Sequence, residues 1–331
     1  MNIAINGFGR IGRQAFKVAI AKKNIKVVAI NDLTDTKTLA HLLRHDTSYG
    51  SYGESVDFDE KNLIVSGKKI PVFAEKDPSA LPWGKLKVDV VLECTGRFTD
   101  KAGAEAHLKA GAKKVIISAP AKGGDVPTYV RAVNCGKAGK EKSLVINNAS
   151  CTTNCIAPVM AVLHEKFGIA KAIMSTIHGY TSDQNLQDGP HKDLRRARAA
   201  AENTVPTSTG AAIATAEVIP DLGGAFDGLA FRVPVNTVSL SDITVLLKKN
   251  ATKEEINQAF VAAAKTDRFA GVLATTSEPL VSSDFKGNTN SGIVDLSLTN
   301  VVGGNLVKVV AWYDNEVGYA HRLVELAELY V

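Results

Sequence analysis

The feature that most constrains the fold of this chain is a glycine loop between a short apolar strand and a helix. Residues 3–5 form the apolar run, Gly7-Phe8-Gly9-Arg10-Ile11-Gly12 follows almost at once, and residues 13–22 show helical spacing. In such a loop the first glycine allows a tight turn, the second lets the backbone approach a pyrophosphate, and the third lets the helix pack on the strand. The free N–H groups at the helix N-terminus favour phosphate. The pattern predicts dinucleotide binding, although the glycines could also serve ordinary turns.

A carboxylate follows the second predicted strand. That strand covers residues 25–30, and Asp32 lies 20 residues after Gly12. A carboxylate in this register accepts hydrogen bonds from an adenosine ribose. It would also repel a 2′-phosphate, so the sequence predicts NAD rather than NADP. The alternative interpretation of Asp32 is a solvated strand end.

Strands and helices continue to alternate through the first half of the chain. Apolar runs at residues 88–93, 115–118 and 144–147 predict further strands, and a helix is predicted to end near Lys109. This alternation predicts an α/β fold with a doubly wound parallel sheet of the Rossmann type. Ligands of such sheets lie at the carboxyl ends of the strands, which places Ser118 at the edge of the cofactor cleft.

Length and composition exclude several classes of protein. The 331 residues, 45% of them hydrophobic, are sufficient for two domains. The 39 basic and 34 acidic residues give a net charge of +5, which suits anionic ligands without requiring nucleic acid. Four cysteines are too few for a disulfide scaffold of this size. The absence of a signal peptide and of a long apolar run predicts a cytoplasmic protein with no membrane span.

Two cysteines lie where the first half ends, in Ser150-Cys151-Thr152-Thr153-Asn154-Cys155. Ser150 is a suitable N-cap, which would put Cys151 at a helix N-terminus, where the pKa of a thiol is lowered. Pro158 leaves the start of the helix open, because a helix from Cys151 would contain the proline and bend. Cys151 alone fits a small buried side chain as well as a nucleophile. Cys155 is predicted to pack in the core.

The second half supplies a candidate base and several anion sites. His178 follows a predicted strand and could activate a thiol, or could be an ordinary core or surface histidine. Residues 191–198 are rich in arginine and form either an anion site or a solvated, helix-prone charged run. Residues 207–211 open an apolar helix whose N-terminus suits phosphate. Arg232 lies in an apolar strand, where it needs an ion pair or an anionic ligand.

The strands of the second half predict a sheet of another type. Residues 226–235 and 238–248 are predicted to be adjoining strands, residues 306–312 form another, and a final helix follows Asp314. This half is therefore predicted to be an α+β domain with a mostly antiparallel sheet. A thiol, a histidine and phosphate-competent sites beside a dinucleotide cleft indicate aldehyde oxidation through a hemithioacetal and a thioester.

Motifs at residues 6–13, 150–155, 191–198, 207–211 and 312–316 closely resemble those of phosphorylating, NAD-dependent glyceraldehyde-3-phosphate dehydrogenases. The resemblance extends over nearly the whole chain. It implies an NAD-binding Rossmann domain at 1–150, a catalytic domain at 151–313, and a C-terminal helix at 314–331 that packs back on the first domain. It also implies a homotetramer that acts on glyceraldehyde 3-phosphate and inorganic phosphate, with no nucleic acid required.

The same resemblance implies roles for particular residues. Cys151 would be the nucleophile, and His178 would activate the thiol and shuttle the proton. Besides Gly7, Gly9 and Gly12 of the loop, the implied cofactor contacts are Arg10, Ile11, Asp32, Lys76, Ser118 and Asn315. The substrate phosphate would bind Thr181, Arg232 and, as a further candidate, Asp183. The attacking phosphate would bind Ser150, Thr152, Thr209, Gly210 and Arg196 beside Cys151.

Details of the sequence refine this interpretation. Leu33 and Pro190 match residues that NAD-preferring members carry. Residues 131–136 lack the histidine and tyrosine that the family often places after the equivalent Val-Asn, which we interpret as a local loop change.

The resemblance implies oxidation of D-glyceraldehyde 3-phosphate to 1,3-bisphosphoglycerate in glycolysis and gluconeogenesis. Erythrose-4-phosphate dehydrogenase is an alternative, because it shares the thiol and the histidine. A non-catalytic dinucleotide-binding or regulatory module is another.

Overall fold

The computed structural model describes residues 1–330, which divide into two compact units. The first unit contains residues 1–129 and 135–149 together with the C-terminal stretch from residue 320. The second contains residues 130–134 and 150–319. Val331, the last residue of the predicted C-terminal helix, lies outside the described residues.

The first unit alternates strands and helices, with a small antiparallel insertion after the second helix. Its elements are β1 (Asn2–Asn6), α1 (Arg10–Ile20), β2 (Lys26–Asn31), α2 (Thr36–Arg44), β3 (His45–Asp46), β4 (Gly50–Ser51), β5 (Val56–Phe58), β6 (Asn62–Val65), β7 (Lys68–Phe73), β8 (Val90–Glu93), α3 (Lys101–Lys109), β9 (Lys114–Ile117) and β10 (Val145–Asn147). Short 3₁₀ helices cover Pro78–Ala80 and Cys135–Lys140.

The main sheet of this unit has the Rossmann strand order. The strands lie in the order β10-β9-β8-β1-β2-β7-β6-β5, and all neighbours from β10 to β7 are parallel. Because the chain runs outward from β1 through β2 and then returns to β8 on the other side of β1, the direction of winding reverses between β1 and β8. The predicted doubly wound parallel sheet is therefore confirmed, and such a reversal is where ligands bind.

Backbone geometry explains two of the loop glycines. Gly7 has φ of +89°, and a Cβ there would lie 2.7 Å from the backbone nitrogen of Thr95, in the loop after β8. A Cβ on Gly12 would lie 2.0 Å from the carbonyl oxygen of Gly7. Only glycine therefore lets α1 begin so close to β1 and lets the loops after β1 and β8 meet.

The second unit is built on another sheet. Its elements are α4 (Cys151–Phe167), β11 (Ile169–Gly179), β12 (Val205–Ser208), α5 (Ala211–Val218), β13 (Phe226–Val233), β14 (Ser239–Leu247), α6 (Lys253–Ala264), β15 (Leu273–Thr276), β16 (Gly292–Asp295), β17 (Asn300–Val302) and β18 (Leu306–Tyr313). Short 3₁₀ helices lie at Pro220–Leu222, Ser282–Phe285 and Leu296–Leu298. Helix α7 (Val317–Tyr330) follows β18 and belongs to the first unit from residue 320 onward.

The second sheet is mostly antiparallel, as predicted. Its order is β12-β13-β11-β14-β18-β16-β15, with β17 paired to β18, and only the pairs β11–β13 and β15–β16 are parallel. The prediction that β13 and β14 adjoin is wrong, because β11 lies between them. This arrangement matters for the site, since it makes His178 of β11 the direct neighbour of Arg232 of β13.

Helix α4 lies in the core of the second unit and settles the question raised by Pro158. The helix begins at Cys151, and Pro158 lies in its interior. Ser150 is the N-cap, and its Oγ accepts a hydrogen bond from the Thr153 amide at 3.0 Å. The helix is buried from residue 152 to residue 163, and this packing offsets the hydrogen bond that a proline cannot make.

Two of the other cysteines, Cys155 and Cys135, are buried. Cys155 is fully buried, as predicted, within the cluster of apolar residues around α4. Cys135 is buried as well, although its segment is polar. Within residues 1–330, no helix combines the length and the apolar character that crossing a membrane requires.

Candidate active site

A cleft of about 320 Å³ opens at the carboxyl ends of β1, β2 and β8 in the first unit. Asp32 lies in its wall, where Oδ2 accepts from the Phe8 amide at 2.7 Å and Oδ1 accepts from the Thr34 amide at 2.9 Å. These bonds fix the carboxylate beside the glycine loop. The full lining is Asn6, Gly7, Gly9, Asn31, Asp32, Leu33, Glu75, Lys76, Cys94, Thr95, Arg97 and Phe98.

Gly9 lines this cleft, and neither packing nor backbone conformation requires a glycine at this position. A Cβ at this position would meet no atom within 4 Å. The φ of Gly9 is −72°, which any residue can adopt, whereas the φ of Gly7 is +89°. Packing and backbone strain therefore do not require glycine here. Close approach of a pyrophosphate to the backbone does require it, so the loop fits a dinucleotide.

We expect Gly9→Ala to leave the fold intact and to weaken NAD binding at least about tenfold, because the added methyl group occupies pyrophosphate space. Titration calorimetry with NAD and a thermal melt of the same sample measure the two effects. Gly53→Ala is a matched control, since a Cβ there also meets nothing within 4 Å but lies outside the cleft. Equal NAD affinity in Gly9→Ala and the wild type would contradict this role.

The remaining predicted cofactor residues are held in different ways. Arg10 begins α1 and donates from Nη1 to the buried Asp46 carboxylate at 2.8 Å, with Ile11 next to it at the helix N-terminus. Lys76 is exposed at the cleft, and Ser118 follows β9. Asn315 belongs to the second unit, where its Oδ1 accepts from Ser239 Oγ at 3.2 Å.

The predicted nucleophile and base are in contact in the second unit. Sγ of Cys151 lies 3.4 Å from Nε2 of His178. The N-terminus of α4 supplies the cysteine and the end of β11 supplies the histidine, so both are fixed by secondary structure. His178 is 4% exposed and its ring packs edge-on against Tyr313.

The hydrogen bonds of His178 determine which ring nitrogen faces the thiol as an acceptor. Nδ1 lies 2.6 Å from the carbonyl oxygen of Gly179, which can only accept, and 3.3 Å from Nη1 of Arg232; the much shorter contact to the carbonyl places the proton on Nδ1. Nε2 of the neutral ring therefore presents its lone pair to Cys151. Arg232 also donates to the Gly179 carbonyl, at 3.3 Å. This geometry makes Nε2 the acceptor of the thiol proton.

Burial sets the resting charges of the pair. It raises the pKa of the Cys151 thiol, and the positive charge of Arg232 and the Thr152 amide oppose this only in part. Burial together with the charge of Arg232 lowers the pKa of His178 to about 3. The expectation that the helix N-terminus would lower the pKa of Cys151 is therefore wrong in its net direction, because desolvation outweighs it. The pair rests as a neutral thiol and a neutral imidazole.

Arg232 is the charged residue nearest to this pair. Its Nη1 donates to the Thr181 hydroxyl at 2.8 Å, while its buried Nε has no partner among the described residues. Burial lowers the pKa of the guanidinium, and no described carboxylate forms a salt bridge with it. A buried cation with an unused N–H donor is suited to an anionic ligand.

Arg196 lies in a second cluster connected to the first through Asp183. Arg196 pairs with the Asp183 carboxylate and donates from Nε to Thr207 at 2.9 Å, and Thr181 also bonds to Asp183. The rest of the 191–198 run forms turns rather than a helix, and Arg198 pairs with Asp188 at 2.8 Å. Of the arginines in that run, Arg196 is therefore the one joined to Thr181.

The predicted phosphate contacts on the helix N-termini differ in accessibility. Gly210 is the exposed N-cap residue of α5 and has no side-chain cap, while the hydroxyl of Thr209 accepts from the Ala211 amide at 3.2 Å. Ser150 is partly buried and caps α4. Thr152 is 4% exposed, and its hydroxyl lies 2.9 Å from that of Tyr313.

No individual role was predicted from the sequence for several residues that hold the site together. Tyr313 joins Thr152 to Thr176, whose hydroxyl is 2.8 Å away, and packs on His178. Ser239 accepts from the Gly179 amide at 3.2 Å, and Thr207 links Arg196 to Asp193. For Tyr313, the signal in the sequence is its place at the end of an apolar strand, two residues before Asn315.

Two family models match the chain. The glyceraldehyde 3-phosphate dehydrogenase NAD-binding domain matches residues 1–101, and the C-terminal domain of the same family matches residues 150–315. The second match contains Cys151, His178 and Arg232, and the first contains the glycine loop and Asp32.

Curated proteins named glyceraldehyde-3-phosphate dehydrogenase match over almost the whole chain. The protein from Geobacillus stearothermophilus is 54% identical over 327 residues, which is 99% of this chain and 97% of that one. The Thermotoga maritima protein is 54% identical over 99% of this chain and 98% of its own. The Bacillus subtilis protein is 52% identical over 99% and 97%.

Proposed function

This chain belongs to the glyceraldehyde-3-phosphate dehydrogenase family, and from this we propose that it oxidises D-glyceraldehyde 3-phosphate to 1,3-bisphosphoglycerate with NAD and inorganic phosphate, as a step of glycolysis and gluconeogenesis. The observation that carries the proposal is the 3.4 Å contact between Cys151 Sγ and His178 Nε2, beside the guanidinium of Arg232, whose buried Nε donor has no partner among the described residues. The chemistry needs a thiol, a proton acceptor and a phosphate anchor.

The reaction begins at the thiol. As Sγ of Cys151 bonds to the aldehyde carbon, its proton passes to Nε2 of His178. The carbonyl oxygen gains the negative charge of the broken π bond and takes that proton from the imidazolium, which gives a neutral hemithioacetal. Because the pKa of His178 is about 3 in the resting site, the imidazolium is a strong acid and returns the proton readily.

Oxidation converts the hemithioacetal into a thioester. NAD, when bound, supplies the acceptor for the hydride that leaves the former aldehyde carbon. Nε2 of His178 accepts the hydroxyl proton at the same time, so the C=O double bond re-forms at the carbon bonded to Sγ. An oxygen of inorganic phosphate then attacks the thioester carbonyl carbon, the C–S bond breaks, and Cys151 leaves as a thiolate that takes back the proton held on Nε2 of His178.

Two sets of residues would bind the two anions, the substrate phosphate and the attacking phosphate. We assign the substrate phosphate to Arg232 and Thr181, which lie 2.8 Å apart. The attacking phosphate is assigned to the N-terminus of α5 at Thr209 and Gly210 together with Arg196, Ser150 and Thr152. Asp183 pairs with Arg196 and would have to yield part of that contact when an anion arrives.

We expect Arg232→Gln to raise KM for glyceraldehyde 3-phosphate by about 10²-fold, since a charged hydrogen bond to phosphate contributes about 1.5–3 kcal/mol. Steady-state kinetics with the phosphorylated aldehyde measure this. Unphosphorylated glyceraldehyde is the internal control, because its KM should change far less. Arg198→Gln is the matched variant, as that guanidinium is 63% exposed and pairs with Asp188. An equal effect on both aldehydes would contradict the phosphate assignment.

The residues of the first unit fit NAD. Gly7, Gly9 and Gly12 with the start of α1 at Arg10 and Ile11 would hold the pyrophosphate, Asp32 the adenosine ribose, and Lys76 and Ser118 further parts of the cofactor. Asn315, which belongs to the second unit, is a further cofactor contact by the family resemblance alone. The carboxylate of Asp32, fixed by two backbone amides, would repel a 2′-phosphate.

The proposal is tested by following reduced nicotinamide with purified protein, glyceraldehyde 3-phosphate, phosphate and either NAD or NADP. We expect turnover that requires phosphate and prefers NAD. Faster turnover of erythrose 4-phosphate would favour the related dehydrogenase. The absence of any aldehyde oxidation, with NAD still bound, would favour a non-catalytic binding module.

The quaternary structure is also proposed. Apolar side chains lie on one face of the second sheet, because cross-strand register places them on the side opposite His178: Ile173, Leu229, Leu246, Val302 and Leu306. Ile173 and Val302 are 61% and 60% exposed, and such patches mark association sites. They support self-association, the family resemblance implies that the assembly is a homotetramer, and sedimentation equilibrium checks the number of subunits.

We further propose a cytoplasmic location, in which the reactive thiol stays reduced. The proposed domains are an NAD-binding domain at 1–150, a catalytic domain at 151–313 and a C-terminal helix from 314. Within the first unit that helix is held by Glu328, which pairs with Lys22 at 2.7 Å.

A further inference from the structure

A buried carboxylate in the first unit has no part in the mechanism above. Glu93 ends β8 and is 1% exposed. Its carboxylate accepts hydrogen bonds from Asn6 Nδ2 at 2.5 Å and the Thr95 amide at 2.8 Å, and lies 3.0 Å from Nε2 of His107. The Thr95 hydroxyl bonds to it as well. A buried charge persists only when it is hydrogen-bonded in this way.

The protonation of His107 follows from its other neighbour. Trp83 Nε1 lies 3.0 Å from His107 Nδ1, and an indole N–H can only donate. Nδ1 is therefore the acceptor, and the ring proton of neutral His107 is on Nε2, directed at Glu93. Every group that contacts the carboxylate is thus a donor. Glu93 is an acceptor on all sides, a pattern that no neutral side chain reproduces.

This network continues into the wall of the cofactor cleft. Asn6 Oδ1 accepts from Asn31 Nδ2 at 2.7 Å, and Asn31 is bonded to both the amide and the carbonyl of Glu75, at 2.9 and 3.0 Å. Asn6, Asn31, Glu75 and Thr95 all line the cleft. One chain of hydrogen bonds therefore joins the carboxyl ends of β8, β1 and β2, on both sides of the glycine loop.

An aromatic contact connects the same histidine to the cleft a second time. Phe98, another lining residue, packs edge-on against His107 with ring centroids 6.5 Å apart. On its other side His107 stacks on Trp83, which contacts Phe73 at the end of β7. His107 therefore lies behind the loop after β8, held from two directions.

We propose that Glu93 and His107, which do not line the cleft, are positioning residues for the adenosine half of the cofactor. Glu93 orients Asn6 and the Thr95 loop, and His107 fixes Glu93 and supports Phe98. Asp32, the residue suited to the adenosine ribose, lies in the same wall, next in sequence to Asn31. The inference rests on the proposed function, since it assumes that this unit binds NAD.

The test is Glu93→Gln, with ADP-ribose as the probe because it carries the adenosine half without nicotinamide. The amide N–H₂ of the glutamine must face at least one of the donors around residue 93. Asn6 and the Thr95 loop in the cleft wall are then no longer held in one arrangement. If the binding-competent fraction falls to a tenth, the Kd for ADP-ribose rises about tenfold. Titration calorimetry measures the Kd. The rate of Cys151 alkylation by iodoacetamide, in the other unit, should stay at the wild-type value.

Asp89→Asn is the matched control for general loss of stability. Asp89 lies just before the opposite end of β8, where its carboxylate accepts from the Asn2 amide at 2.7 Å and pairs with Lys113 at 2.8 Å. This variant should also melt earlier but keep the wild-type Kd for ADP-ribose. A positioning role predicts that only Glu93→Gln changes the Kd, whereas a purely structural role predicts that both variants, or neither, change it.

Trp83→Phe carries the same test if Glu93→Gln does not fold. It removes the donor that fixes the His107 tautomer, and we expect the Kd for ADP-ribose to rise about threefold. A wild-type Kd for ADP-ribose in both Glu93→Gln and Trp83→Phe would overturn this inference and leave the proposed function standing. Failure of the wild-type protein to bind NAD or ADP-ribose would instead overturn the proposed function, and the inference with it.

Discussion

Replacing Cys151 with serine should abolish dehydrogenase turnover while NAD still binds. The serine hydroxyl keeps the position at the start of α4, but it is a far weaker nucleophile and forms an ester instead of a reactive thioester. Loss of a covalent nucleophile costs about 10⁴-fold or more in kcat. The glycine loop and Asp32 lie in the first unit and are untouched by the change. Reduced-nicotinamide absorbance and NAD titration of the same preparation measure the two properties.

Cys155→Ser is the control for this experiment. Cys155 lies one turn along α4, is fully buried, and has its Sγ 3.9 Å from the Ala311 carbonyl. The variant loses packing but not the nucleophile, so turnover should persist, with a lower melting temperature. Turnover retained by Cys151→Ser, or lost only in Cys155→Ser, would contradict the assignment of the two cysteines.

Replacing His178 with asparagine should lower kcat by about 10²–10⁴-fold, the usual contribution of a positioned acid–base group. The asparagine cannot accept the thiol proton at the position of Nε2, which lies 3.4 Å from Sγ. His164→Asn is a matched control, because that histidine lies near the surface beside Asp221. Wild-type turnover in His178→Asn would contradict the role of His178 as the base.

The pH dependence of Cys151 alkylation distinguishes ionisation of the thiol from proton transfer to His178. Burial raises the pKa of the thiol, so in His178→Asn the thiolate fraction and the alkylation rate should rise as pH increases through that elevated pKa. In the wild type, His178 is neutral above its low pKa and presents Nε2 at 3.4 Å from Sγ, so it can take the thiol proton as the new S–C bond forms, without prior ionisation of the thiol. The wild-type rate should therefore exceed that of the variant most at neutral pH, with the difference shrinking at alkaline pH. Parallel profiles would exclude proton transfer to His178.

Much of the fold was predictable because it depends on local patterns. The glycine loop, the register of Asp32 and the alternation of apolar strands with helices determine a Rossmann sheet. The second sheet was harder. Residues 226–233 and 239–247 are consecutive strands in the sequence, but β11, more than 45 residues earlier, pairs between them. Local pattern carries no information about such a long-range insertion.

The site was predictable in its residue types and less so in its geometry. The sequence predicted a cysteine at or just before the start of a helix, with the choice left open by Pro158, and a histidine at a strand end. The 3.4 Å contact between them arises from packing of α4 on the sheet. The pKa of Cys151 moved opposite to the prediction because burial is a property of the folded unit. Asp183, which joins Thr181 to Arg196, and Tyr313, which packs on His178, likewise depend on tertiary contacts.

The central claim is that Cys151 forms a thioester which phosphate must release. A rapid mix of enzyme, NAD and glyceraldehyde 3-phosphate without phosphate tests this most directly. We predict a burst of about one reduced nicotinamide per Cys151 followed by very slow turnover, with steady turnover restored on adding phosphate. The acylated peptide containing Cys151 should be detectable by mass spectrometry before phosphate is added. Sustained rapid turnover without phosphate, or an unmodified Cys151 after the burst, would contradict the account.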